Sequence, residues 1–173
     1  MKILRVILTG VIIFVNFILQ TTLLPYGSIG GVLPNTALII IVSLGLLRGY
    51  WEGACAGFFS GLLQDIFFGT SMGFYALLGL LSGLFAGHSQ KDFYRENYLL
   101  PMIICSIITI LYESVVYIIG FFFQGETNIL YFLIRLALPE AVYTAILSIP
   151  IYRLLFGINE WLELKEKYRY RLF

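Results

Sequence analysis

Residues 34–68 read PNTALIIIVSLGLLRGYWEGACAGFFSGLLQDIFF. Almost every position is apolar or small. As one helix rising 1.5 Å per residue, the run would extend about 50 Å, well beyond a hydrocarbon core of about 30 Å. It must therefore break inside. Arg48-Gly49-Tyr50-Trp51-Glu52 is the place, with two charges, a glycine and two aromatics of the kind that settle at a membrane interface. The two halves then form a tight helical hairpin.

The rest of the chain agrees with a protein that folds in lipid. Of its 173 residues 60% are hydrophobic and 12% charged, with a mean hydropathy of +0.90; soluble domains run at about 45–50% apolar and about 25% charged. A soluble domain of this length has no way to hide so much apolar surface. The length suits one domain. The sequence predicts an all-α integral membrane protein with six transmembrane helices: Arg5 to Leu24, Asn35 to Leu47, Trp51 to Phe68, Phe74 to Gly87, Tyr98 to Phe123 and Ile129 to Phe156. Residues 1–158 form the transmembrane domain and 159–173 a tail, expected to lie on the cytoplasmic membrane surface as a short amphipathic helix. The first apolar run is long for a cleaved signal and ends without a small-x-small site, so it reads as a retained span.

Basic residues alternate along the chain. Lys2 and Arg5 precede the first span, Arg48 lies in the second connection, Lys91 and Arg95 in the fourth, and Arg153, Lys165, Lys167, Arg169 and Arg171 at the end. The first, third and fifth connections carry no Lys or Arg. With six spans, ten of the eleven Lys and Arg residues fall on one face, and the positive-inside rule makes that face cytoplasmic. Both termini are thus expected on the cytoplasmic side.

Four charges lie within spans, where they are costly and face protein, cavity or partner. Asp65 and Arg135 sit at similar depth near the external side and are expected to pair or to share a network. Glu113 and Glu140 fall nearer mid-membrane, where desolvation favours the neutral carboxyl. These groups read either as a ligand or ion pathway or as interhelical contacts. A second pattern is glycine spacing. Gly45, Gly49, Gly53, Gly57 and Gly61 recur every fourth residue, Asp65 continues the series, and Gly79, Gly83 and Gly87 repeat it. Such small faces let backbones approach closely. Packing within the chain is the first expectation, and a homodimer or a partner helix on the same face the second. Pro139 and Pro150 are expected to kink the last span, Pro139 beside Glu140 opening a polar notch.

Several chemistries have no signature. Cys55 and Cys105 sit in apolar stretches and read as free thiols. His88 stands without a ligand cluster. No nucleophile elbow surrounds Ser60 or Ser82, no P-loop follows the glycines, and no basic nucleic-acid face exists beyond the tail. The expectation is a non-enzyme without cofactor or metal.

The motif residues point to a family. Leu19-Gln20-Thr21-Thr22-Leu23 closes the first span and Leu33-Pro34-Asn35 opens the second. Gly45-Leu46-Leu47-Arg48-Gly49 and Gly53 mark the hairpin, and Gly57-Phe58-Phe59-Ser60-Gly61-Leu62-Leu63-Gln64-Asp65 precedes Gly69 and Gly73. In these, and in length and span count, the chain resembles the MreD family of bacterial rod shape-determining membrane proteins. The resemblance implies a non-catalytic scaffold of the elongation machinery for the lateral cell wall. Its implied partners are MreC, a single-span protein, the MreB filament, RodA and a class B penicillin-binding transpeptidase. It implies a fold like the six-helix S component of energy-coupling-factor vitamin transporters, with Asp65 and its neighbouring glycines as motif residues. That fold supplies the alternative, a vitamin-binding S component or other small transporter. The first span lacks the Ala-x-x-x-Ala face of such components, and the external connections are short.

Overall fold

The computed structural model describes residues 2–28, 31–69, 72–89, 99–124 and 132–170. Six helices run through them: α1 (Lys2–Thr22), α2 (Thr36–Arg48), α3 (Tyr50–Phe68), α4 (Phe74–His88), α5 (Leu99–Gln124) and α6 (Leu138–Tyr170). A 3-10 turn, Leu24–Gly27, follows α1, and a π-helical turn, Leu133–Ala137, leads into α6. The chain is thus an all-α membrane protein, with its first five helices within a few residues of their expected places and the sixth displaced toward the C-terminus. Lys91, Arg95, Gly125 and Glu126, which carry the fourth and fifth connections, lie outside the described residues, as does Arg171.

The hairpin forms where the sequence breaks. Gly49 alone separates α2 from α3 and takes φ +100°, a region that a side chain disfavours. Its amide closes α2 by donating to the Gly45 carbonyl at 2.9 Å. At the other end of α2, the Asn35 side chain caps the helix by accepting from the Leu38 amide at 3.2 Å.

Equal spans give way to two kinds of helix. Among the described residues three helices are long and apolar enough to cross a membrane: Ile3–Thr22, Leu99–Gly120 and Leu133–Lys165. By contrast α2 has 13 residues and α4 has 15, only about 20 to 23 Å of helix. The reason lies in the position of α2. Every residue from Thr36 to Leu47 is buried, and each of the other five helices touches it. A helix enclosed by protein on all sides has no need to match the thickness of lipid. One apolar cluster joins Leu38, Ile41, Val42 and Leu46 to Leu78 on α4 and to Cys105 and Ile108 on α5. A second joins Ile40, Leu44 and Leu47 to Ile13 on α1, Ala56 on α3 and Tyr152 on α6.

The last helix departs from expectation at both ends. Pro139 has no amide to donate to the Arg135 carbonyl. The π turn before it answers this, with the Leu138 amide bonding five residues back to Leu133. Pro150 lies inside α6 without ending it, and the helix continues unbroken past Asn159. The stretch expected as a separate tail is therefore an extension of the last helix, and its first part joins the core through Asn159 and Leu162.

Candidate functional site

The most closely built part of the molecule is the seam between α3 and α4, and glycine makes it. A methyl group on Gly57 would overlap the Gly79 carbonyl, one on Gly83 the Gly53 carbonyl, and one on Gly61 the Tyr75 carbonyl. Gly53 faces the Gly45 Cα as well, so the stripe also holds α2 against α3. The antiparallel run of Gly53, Gly57 and Gly61 thus meets Gly83, Gly79 and Ala76, with backbone against backbone. Close approach of this kind favours many weak dispersion and Cα–H···O contacts where no water is available to drive association. The glycines expected as a packing face are used within this chain.

That approach decides what Asp65 does. Its two carboxylate oxygens accept from the backbone amides of Tyr75 and Ala76, each at 2.9 Å, and the residue is 3% exposed. Gly69 and Gly73 turn the chain so that the first turn of α4 arrives at the last turn of α3. Two amides with no partner inside their own helix then meet a carboxylate at the positive end of the helix dipole. Among the described residues the hydrogen-bond partners of the Asp65 carboxylate are these backbone amides, and Arg135 lies on an exposed part of the π turn.

Arg48 marks the opposite end of the bundle. Its Nε donates to Asn159 Oδ1 at 2.8 Å, and one terminal nitrogen donates to Thr9 Oγ1 at 2.9 Å. The same nitrogen reaches Glu52 at 3.4 Å. One guanidinium thus joins α1, α2, α3 and α6 with its side chain only 3% exposed. The fork of donors on arginine suits such a four-way junction. Asn159 in turn donates to Glu163 at 3.0 Å.

The third polar group lies in the interior. Glu113 on α5 lies close to Glu140 on α6 and to the Asn35 side chain at the start of α2. The Asn35 amide donates to Thr144 Oγ1 at 3.1 Å, one turn beyond Glu140. Nearby, Tyr112 donates to Gln64 Oε1 at 3.2 Å. The two glutamates, read separately in the sequence, are brought together here, and neither joins Asp65 or Arg48. Asn35, Gln64, Thr144, Asn159 and Thr9 were not singled out as site residues. Asn35 and Gln64 fell within the motifs quoted above, and Asn35, after Pro34 and before an apolar run, also carried the signal of a helix cap. Among the described residues no group of three His, Cys, Asp or Glu is placed to hold a metal.

These features define an all-α membrane protein whose polar and glycine positions join helix to helix. The family profile described as rod shape-determining protein MreD matches residues 1–159, and the chain belongs to that family. It is a rod shape-determining membrane protein of the rod-shape machinery. No curated protein and no solved structure matches the chain.

Proposed function

We propose that this protein is a non-catalytic scaffold of the cell-wall elongation machinery, regulating lateral peptidoglycan synthesis by binding partner helices in the cell (inner) membrane. The surface of α1 carries the reading. Ile7, Val11, Phe14 and Val15 are each about half exposed, while Ile13 is 6% exposed. A long apolar helix held on one narrow side leaves the remainder to lipid or to another helix. Family membership supports a single-span protein such as MreC as that occupant. MreB, RodA and a class B penicillin-binding transpeptidase complete the assembly. The alternation of Lys and Arg supports a multi-pass topology with both termini cytoplasmic. Asp65, Arg48 and the glycines Gly53, Gly57 and Gly61 act by setting the bundle on which partners dock.

Tagged protein, gently solubilised from native membranes, tests the proposal. Recovery of MreC together with cell-wall synthesis enzymes is the expected result. Recovery of an ATPase pair with a coupling membrane subunit, or of a tightly held vitamin, overturns it in favour of a transporter.

A further inference from the structure

Along the body of α1, Arg5, Thr9, Asn16 and Gln20 follow one another at steps of four, seven and four residues. At 100° per residue these steps hold all four within about 60° of arc. That side of α1 faces the bundle. At the cytoplasmic end Thr9 accepts from Arg48 at 2.9 Å, and at the external end Gln20 accepts from the Thr36 hydroxyl at 3.3 Å. Ile13, between them, packs against Ile40, Leu44 and Tyr152. Asn16 is the exception: it is half-buried, and among the described residues its side chain makes no hydrogen bond. Its depth makes this costly. The apolar span of α1 is Ile3–Thr22, and Asn16 lies about 5 Å from its middle. A primary amide has two N–H donors and a carbonyl acceptor to fill, and leaving them open in hydrocarbon carries the full cost of desolvation.

The opening beside Asn16 has a definite shape. On the α3 side α1 is closed by Phe17, whose ring lies 5.0 Å from that of Phe67 and 6.1 Å from that of Phe68. Toward α6 the ends are tied. Arg48 links Thr9 to Asn159 at the cytoplasmic end, and Tyr143 donates to the Gly27 carbonyl, just past α1, at the external end. Between the ties Leu8, Ile12 and Asn16 are half-buried and Leu19 is 41% exposed. A half-buried strip beside the line of contact with the bundle is the wall of a groove, and a groove admits a single helix. A second copy of the chain does not fit, because a two-fold axis through Asn16 would drive the two bundles, which share that side of α1, into each other.

We propose that the single-span partner of the scaffold lies in this groove, its transmembrane helix crossing α1 at Asn16 and presenting a hydroxyl or amide side chain there. The match is one of partial charge: the Asn16 carbonyl takes a donor and its amide nitrogen an acceptor. Such pairing, with close packing, joins helices where lipid supplies no hydrophobic drive. The outer half of α1, with Ile7, Val11 and Phe14, is left to lipid. The inference rests on the scaffold reading and adds to it the face and the chemistry of the contact.

Two measurements on the full-length protein test it. In native membranes, a benzophenone amino acid in place of Leu19, beside the groove, is expected to cross-link a single-span protein, and in place of Phe14, on the outer half, to label lipid alone. In lipid nanodiscs, purified MreC is titrated against the protein and binding is followed by fluorescence. Asn16→Leu is expected to weaken binding about three- to tenfold, the size of a hydrogen bond between membrane helices, and Asn16→Gln, which keeps donor and acceptor, to weaken it less. The unfolding midpoint of the isolated protein is expected not to fall in Asn16→Leu, since no bond within the chain is broken. A midpoint that falls, or MreC binding unchanged in Asn16→Leu, overturns the proposal. Cross-links from Phe14 in place of Leu19 overturn the groove and leave the scaffold reading standing, and cross-links from Leu19 to a second copy overturn it in favour of self-association. Failure of the native chain to bind MreC or to cross-link any single-span protein removes the scaffold reading and the inference together.

Discussion

At the scale of single residues, two charges at opposite ends of the bundle do different work from the one their sign suggests. Asp65 finishes a helix that is not its own, and both of its oxygens are spoken for. Asp65→Ala is expected to destabilise the protein by about 2–3 kcal/mol, since charge-assisted bonds to buried amides are lost. Asp65→Asn, which keeps one acceptor, should recover part of that loss. Thermal unfolding in detergent, followed by α-helical circular dichroism, measures both; equal stability of Asp65→Ala and the native protein would remove the capping role. Loss of cell shape in the same variant, with the bundle intact, would instead place Asp65 at a partner. Arg48→Lys is expected to be nearly as damaging as Arg48→Ala, because an ammonium cannot reach Asn159, Thr9 and Glu52 from one planar group. Unfolding midpoints in the same detergent, with Arg48→Lys close to native, would count against the four-helix junction.

At the scale of elements, the α3–α4 seam gives the sharpest contrast. Gly57→Ala pushes a methyl group into the Gly79 backbone, and overpacking of this kind costs about 1–3 kcal/mol. Gly10→Ala, on α1 with nothing within 4 Å of the added carbon, should leave the stability of the isolated protein unchanged or slightly raised. Comparing the two unfolding midpoints separates a packing role from a generic effect of adding a methyl group. A good deal of this was readable beforehand. A four-residue spacing of glycine means a small helix face whatever it meets, and an apolar run too long for a bilayer must turn at its charges. The sequence does not say which helix a glycine face meets, because Gly79 and Gly83 match it in spacing while Gly45 matches it too. Asp65 was legible as a residue foreign to lipid. Its partners were not, because peptide amides are the same at every residue, and only the fold says which ones are left over. Glu113 and Glu140 were each legible as buried acids, but their proximity depends on the antiparallel register of α5 and α6, which no local pattern encodes.

At the scale of the whole molecule, the bundle sorts into a core and an outer layer. α2 is enclosed by the other five helices, whereas α1 offers most of its circumference outward. Thiol probes that cannot cross the membrane are expected to react with cysteines placed at either terminus only from the cytoplasmic side, as the Lys and Arg distribution predicts. Reaction of one terminus from outside would mean an odd number of crossings and would undo the six-span topology. Removal of α1 is expected to abolish recovery of the single-span partner while leaving α2–α6 helical, measured by co-purification and circular dichroism side by side.

The enclosure of α2 has a consequence for how the chain is made. A 13-residue helix emerging alone from the insertion machinery is too short to rest in a bilayer of ordinary thickness. It can be retained there only as one arm of a hairpin with α3, shielded on its open side until α5 and α6 have been synthesised. Biogenesis therefore runs through an interval in which the future centre of the protein is its least protected part. The most damaging truncations would be those that end the chain after α4, when the helix every other one leans on has been delivered but not yet covered.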